Sequence, residues 1–273
     1  MKKVILLCIF LSAVAIAAIA VTKILVDAKK SNPEFTTAAT AGRTVTQTIT
    51  ATNIEKIDVE FCNVEYTVSP EVKATFVVPE VIKDSYHVTL RGTTLKVDLK
   101  DNISNINKND ARPTLTLSCP ALKDIEASGA SSISILNELI VPELEVELSG
   151  ASSLKAPEIS CTKFSCDASG ASSIKIDRLM ANKTDLEASG ASSVTVDKLE
   201  STQTECDASG ASKVTVFSGT AGKVELDASG ASSVTCKAST TGGTADASGC
   251  SSITCPQGIR ADTSGMSKVK FLD

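Results

Sequence analysis

Ala127-Ser128-Gly129-Ala130-Ser131-Ser132-Ile133 is the first of eight copies of one phrase, and Thr263-Ser264-Gly265-Met266-Ser267-Lys268-Val269 is the last. The glycines fall at Gly129, Gly150, Gly170, Gly190, Gly210, Gly230, Gly249 and Gly265, at intervals of 21, 20, 20, 20, 20, 19 and 16. A near-constant period of this size marks a solenoid, either a leucine-rich repeat or a β-helix. The pattern inside each unit decides between them. Around Gly190, Leu186 and Ala188 precede the glycine and Val194 and Val196 follow it, with Glu187, Ser193 and Thr195 on the opposite parity. That alternation has the period of a strand and excludes a helix.

Two columns of the repeat are apolar. The site four before each glycine reads Ile125, Val146, Cys166, Leu186, Cys206, Leu226, Ala245, Ala261, and the site four after reads Ile133, Leu154, Ile174, Val194, Val214, Val234, Ile253, Val269. Both are expected to face inward, and the small residues between them supply a tight corner at which glycine relieves the backbone. Coils stacked about 4.8 Å apart pair as parallel strands. No single coil can offset its own ordering cost, so stability must come from stacking neighbours. The expected fold is all-β: a right-handed parallel β-helix (β-solenoid) with rungs of about 20 residues, the hand taken from the crossover rule.

Composition agrees with a thin core. Aromatics are 3% of 273 residues and tryptophan is absent. A net charge of −5 with no basic stripe argues against nucleic acid as a partner.

The chain divides into four parts by pattern. In residues 1–22, Lys2 and Lys3 precede an apolar run from Val4 to Val21 with small residues at Ala18-Ile19-Ala20. This reads as a signal peptide or an N-terminal membrane anchor, so the protein is expected to be exported to the periplasm, the outer membrane or the cell surface. Residues 23–42 read as a linker. Residues 43–120 form a β-rich capping region that holds Phe61, Tyr66, Phe76 and Tyr86, with a turn at Arg91-Gly92-Thr93-Thr94 and an Asn/Asp-rich loop at 100–112. Residues 121–273 are the repeat β-helix.

Chemistry is sparse along these repeats. The site three before each glycine is acidic in every unit: Glu126, Glu147, Asp167, Glu187, Asp207, Asp227, Asp246 and Asp262. A second, partial column adds Asp124, Glu145, Asp185, Glu205 and Glu225. Such a ladder of like charges needs counter-ions, lateral lysines or open water. Glu187, Asp207 and Asp227 are the candidates for Ca²⁺, although carboxylates on a flat strand converge poorly for a cation that takes six to eight oxygens, and a solvated acidic face is the simpler reading. Ser128, Ser131 and their equivalents are read as hydroxyls that satisfy corner backbone groups. The outward file Thr195, Thr215, Thr235, Thr254 has the look of a water-ordering surface, but it is short and its neighbouring column is interrupted by Lys213.

Catalysis lacks partners. His87 is the only histidine and sits far from the repeats in sequence, which removes a Ser-His or Cys-His pair as a recurring device. No catalytic residue and no cofactor is assigned. Of nine cysteines, Cys166 and Cys206 share the inward column two rungs apart, beyond bridging range, whereas Cys236 and Cys255 lie on adjacent rungs, within disulfide range near its lower limit. Core filling by small apolar thiols is the simpler reading and a Cys236–Cys255 bridge the alternative. Cysteine and histidine spacing gives no zinc site.

The order of an apolar N-terminus, a β-rich stretch ending in Gly92-Thr93-Thr94-Leu95-Lys96-Val97, the phrase Leu117-Ser118-Cys119-Pro120-Ala121-Leu122-Lys123-Asp124-Ile125 and serial Ala-Ser-Gly-Ala-Ser-Ser units resembles the putative auto-transporter adhesin, head GIN domain family. The resemblance spans about Arg43 to Asp273. It implies a parallel β-helix of the bacterial envelope, common in Bacteroides-type bacteria, and brings no catalytic residues with it. The expected function is that of a non-enzymatic envelope or surface protein, an adhesin presenting a repetitive surface to glycan or to an extracellular or envelope protein. The alternative is a periplasmic carbohydrate-binding or carbohydrate-processing module. Self-association is a further expectation at the last rung, where Met266, Lys268, Lys270 and Phe271 replace the small residues of the repeat.

Overall fold

The computed structural model describes residues 43–100 and 112–272. The segments read as a signal or anchor (1–22) and linker (23–42), and most of the loop at 100–112, lie outside the described residues.

The repeats form the β-solenoid that the glycine spacing predicts. Three strands carry one full rung each: β12 (Ser153–Ala168), β13 (Ser173–Ala188) and β14 (Ser193–Ala208). Their ladders are parallel and in register, Ser153 with Ser173 with Ser193, so equivalent residues of successive repeats stack directly on one another. Burial within β14 falls on Val194, Val196, Leu199, Ser201, Thr204, Cys206 and Ala208. Inward parity therefore skips at Asp197-Lys198 and again at Thr202-Gln203, and each skip turns the chain through a corner. Together with the Ser-Gly-Ala-Ser turn, these corners give each rung three faces around a narrow core.

The glycine corner follows from backbone sterics. Gly190 has φ +69°, a conformation costly for any residue with a Cβ. A Cβ built on Gly190 would also lie 2.8 Å from the carbonyl oxygen of Gly170 one rung below. Two constraints thus fall on one column, and Gly170, Gly210 and Gly230 repeat them. Most of the corner hydroxyls are met locally, although Ser152 Oγ in the same column is buried without a partner. The buried Ser192 hydroxyl lies 2.6 Å from Ala168 O and 2.8 Å from Ser189 O, and those carbonyls accept it. Ser212, Ser232, Ser251 and Ser267 repeat the bond to the rung below, as expected for a column of corner hydroxyls.

The N-terminal region does more than cap. Its strands are β1 (Thr44–Ile49), β2 (Lys56–Glu60), β3 (Asn63–Val68), β4 (Lys73–Pro79), β5 (Tyr86–Arg91), β6 (Thr94–Leu99) and β7 (Thr114–Cys119). The first recognisable repeat follows as β8 (Asp124–Ser128) and β9 (Ser132–Ile135), then β10 (Leu139–Ile140) and β11 (Glu143–Leu148). β2 lies parallel between β6 and β8, and β3 lies parallel between β7 and β9. The β2–β3 pair is thus a genuine rung, placed in the stack between two rungs that follow it in sequence. Phe61 stands at its glycine position with φ +51°. The Arg112 guanidinium lies 5.3 Å from the Phe61 ring centre. The buried Tyr66 hydroxyl donates to Cys119 O and accepts from Leu122 N–H, tying down the segment that crosses this inserted rung. Capping itself falls to antiparallel strands: β5 closes against β6, β4 closes against β7, and β1 adds to β4.

The C-terminal rungs shorten. They comprise β15 (Lys213–Val216) with β16 (Gly219–Ala228), β17 (Ser233–Cys236) with β18 (Ser239–Ala247), β19 (Ser252–Cys255) with β20 (Ile259–Thr263), and a final β21 (Lys268–Phe271). Ala261 and Val269 belong to the inward columns by position, yet in this last rung they are not buried. With no further rung described above them, inward parity alone does not bury a side chain.

Candidate functional site

The acidic column forms a continuous line on the outer surface. Asp58, Glu126, Glu147, Asp167, Glu187, Asp207, Asp227, Asp246 and Asp262 are register partners through successive ladders. Asp58 extends the line into the inserted rung, and sequence reading missed it because no glycine phrase marks that rung. Position explains the line's exposure. Each acid has outward parity; from Glu126 to Asp246 it is followed by a buried Ala or Leu and then by the outward serine that leads into the glycine turn, whereas Asp58 is followed by buried Val59 and Glu60, and Asp262 by exposed Thr263.

From Asp167 to Asp262 these acids, the small residues beside them and the serines from Ser189 to Ser264 line a trough of about 630 Å³. Glu187, Asp207 and Asp227, the three calcium candidates, sit side by side within it. Their carboxyls are all shifted upward. Burial and the Asp227 charge hold Asp207 up at about 7, and the charges of Glu205, Glu187 and Asp185 add to the effect. Glu187 rises through burial and then through Asp185, Asp167 and Glu205. Asp227 rises through burial and through Asp246 and Glu225, while a hydrogen bond with Asp207 works in the opposite sense. Asp207 and Asp227 are close enough to hydrogen-bond through a shared proton.

Ion pairs to the column are found at its N-terminal end. Lys56 Nζ lies 2.6 Å from Asp124 Oδ2 and also contacts Glu126 Oε1, and Lys96 Nζ lies 2.8 Å from Asp58 Oδ2 and 3.0 Å from Asp98 Oδ1. Among the described residues no lysine or arginine forms an ion pair with the ladder carboxylates from Glu147 to Asp262, and no group of three or more His, Cys, Asp or Glu is arranged to hold a metal ion. The column therefore aligns its carboxylates without converging them.

Other candidate residues are dispersed. His87 is exposed on β5 and borders a shallow basic groove with Arg91, Lys96 and Lys100, far down the stack from the trough. Thr195, Thr215, Thr235 and Thr254 do stack in register between Lys175 and Lys270. Thr215 is buried, however, so the file is not an even hydroxyl surface. Cys166, Cys206, Cys236 and Cys255 are buried thiols, with Leu186 separating the first two in their column. Burial pushes the Cys236 thiol up to about 11, which keeps it protonated and unreactive.

The same architecture occurs in solved structures. A putative adhesin of Parabacteroides merdae superposes with a TM-score of 0.68 at 15% identity, covering 85% of this chain and 97% of that one. A protein of Parabacteroides distasonis described as a putative lipid binding protein gives 0.69 at 16% identity, covering 85% and 98%. A putative adhesin of Bacteroides fragilis gives 0.61 at 18% identity, covering 85% and 99%. At these identities the likeness shows the fold. No curated protein matches the chain. The family profile described as putative auto-transporter adhesin, head GIN domain, matches residues 56–239 and again 169–272. Together these matches take in the inserted rung and every repeat, and the chain belongs to that family.

Proposed function

We propose that this protein is a non-enzymatic adhesin of the bacterial cell envelope or surface, exported through its N-terminal apolar segment, whose solenoid presents one repeated surface to glycan or protein. The observation that carries this reading is register: outward side chains of equal kind recur on successive rungs, as in the acidic column from Asp167 to Asp262. A ligand that is itself repetitive can engage several rungs at once, and weak contacts then add through effective concentration. The family's adhesin description supports the same reading.

The trough favours glycan among ligand classes. Ionised carboxylates accept, and serine hydroxyls both donate and accept, which suits sugar hydroxyls. It equally supports the second reading, a periplasmic carbohydrate-binding or carbohydrate-processing module, because paired carboxylates are the usual acid and base of glycoside cleavage. Glu187, Asp207 and Asp227 are where a Ca²⁺ requirement would act.

The test is binding of the full chain to arrayed glycans and matrix proteins, with Ca²⁺ and with chelator, followed by product analysis of any bound ligand. Saturable binding without new reducing ends supports the adhesin. New reducing ends would transfer the case to the processing module, and loss of binding with chelator would make the carboxylates a cation site.

A further inference from the structure

The two ends of the solenoid differ. At the N-terminal end, antiparallel strands cover the edges of β6 and β7. At the other end, β20 pairs only with β18 and β21 only with β19, so among the described residues neither has a partner on its far side. Met266 and Phe271 are exposed beside this edge.

The backbone of β20 is set to accept a further strand. Glu145 N–H donates to Lys123 O and Ser149 N–H to Ala127 O, both toward the preceding rung, and Ser264 N–H in the last rung donates likewise to Ala247 O. Backbone groups alternate along a strand. Arg260 and Asp262 therefore bond back to β18, and Ile259 and Ala261 direct their N–H and C=O groups away from it. Thr263 directs its C=O away while its N–H donates to Asp262 Oδ1 at 2.8 Å, a bond that Asp262 would exchange for the partner's Arg260 on pairing.

We infer that β20 pairs with β20 of a second copy of this chain, antiparallel and centred on Ala261, to make an end-to-end dimer. The occupant is identified by self-complementarity. In the register centred on Ala261, the outward groups of Ala261 meet their own copies across a two-fold axis, and Ile259 meets the partner's Thr263. The non-hydrogen-bonded positions, where side chains stand closest, then bring Arg260 against the partner's Asp262 and Asp262 against the partner's Arg260. Two opposite-charge pairs form from one sequence of five residues. Moving the centre to Arg260 or to Asp262 would set like against like. The other open strand has no such match: Lys268 N–H bonds back to Ser251 O, so its non-hydrogen-bonded positions at the open edge carry the exposed side chains of Lys268 and Lys270, and edge lysines oppose pairing. A two-fold contact uses up the edge it forms, so the assembly stops at two copies rather than growing into a fibre.

The test is sedimentation of the full chain in mild detergent across a concentration series, for the parent and four variants. The parent is expected to reach a dimer. Arg260→Asp alone or Asp262→Arg alone, each of which makes both contacts repulsive, is expected to weaken it by about tenfold or more. The exchange of both, R260D with D262R, is expected to restore it, which a merely structural role for either residue would not do. Ala261→Pro removes an outward N–H while sparing the bonds to β18, and is expected to abolish the dimer. A parent that stays monomeric overturns the inference. So does a dimer indifferent to all four variants, which would place association in another segment such as the apolar N-terminus.

Discussion

Asp207 stands directly across from Asp227 on the next rung, and burial together with that facing charge holds the Asp207 carboxyl up at about 7. Glu147, Asp185, Glu187 and Asp227 are raised as well, burial being the largest cause for each. The fold thus aligns acids at a spacing that opposes their full ionisation.

Stability should therefore fall as pH rises through this range. A carboxyl whose folded value lies above its unfolded value binds protons more tightly in the native state. Its favourable contribution is complete below about pH 4 and is lost as pH climbs through the folded value. Asp207 puts that loss between about pH 4 and 7. Glu55 and Glu200, lowered by Lys123 and Lys198 respectively, act in the opposite sense at the acid end, but both are solvent-screened and weak. Thermal unfolding should give a higher midpoint at pH 5 than at pH 8. Asp207→Asn should raise the pH 8 midpoint and flatten the slope; an unchanged profile would show that the column titrates as isolated carboxylates.

Gly190→Ala should be clearly destabilising. It combines the left-handed backbone penalty with a Cβ only 2.8 Å from Gly170 O, for a loss of about 2–4 kcal/mol. Gly92→Ala is the control. Gly92 has φ +61° and no atom within 4 Å of an added Cβ, so only the backbone penalty of about 1–2 kcal/mol applies. Denaturant midpoints of the two variants would separate the effects, and equal losses would mean that close approach between rungs contributes nothing.

Ser192→Ala should cost little, about 1 kcal/mol. The carbonyl of Ala168 keeps its backbone donor, Ser189 N–H at 2.9 Å, when the hydroxyl at 2.6 Å is removed. Ser192→Val should cost more, since the column is buried and bounded by the rungs above and below. A midpoint shift for alanine as large as that for valine would mean that the hydroxyl, not its volume, sets the corner.

Phe164→Ala tests the thin core. Phe164 is fully buried, and its register partners are Leu144 on one side and Thr184 on the other. The ring fills space that no neighbour in the column supplies, so its loss should cost about 3–5 kcal/mol. A loss below 1 kcal/mol would show that adjacent rungs collapse into the space.

Much of this architecture was legible because it repeats. Columns such as Val194–Val214–Val234 and Leu186–Cys206–Leu226 declared both strand period and inward face, and Gly190 with its equivalents declared the corner. The other two corners were not legible, because residues such as Asp197-Lys198 and Thr202-Gln203 carry no shared turn signature. The inserted rung was hidden for a different reason. Phe61 holds the left-handed position that glycine holds elsewhere, and the stacking order of β6, β2 and β8 departs from chain order, which local pattern cannot report. In the trough, the carboxylates were visible one by one in the sequence. Their mutual burial and their lack of ion pairs among the described residues depend on side-chain placement, which only three dimensions supply.

The central claim is that the rungs act as repeated copies of one binding surface. Ser193–Ser212 spans one repeat, and its removal joins Ser192 to Lys213 in the register that Ser212 had held. The measurement is a titration of the full chain and of this one-rung deletion over immobilised glycans and matrix proteins. Saturable binding by both, with the deletion weaker by a graded step and no ligand cleaved, is the predicted result. Absence of saturable binding on every surface, or a deletion that abolishes binding outright while the remaining rungs stay folded, would contradict it.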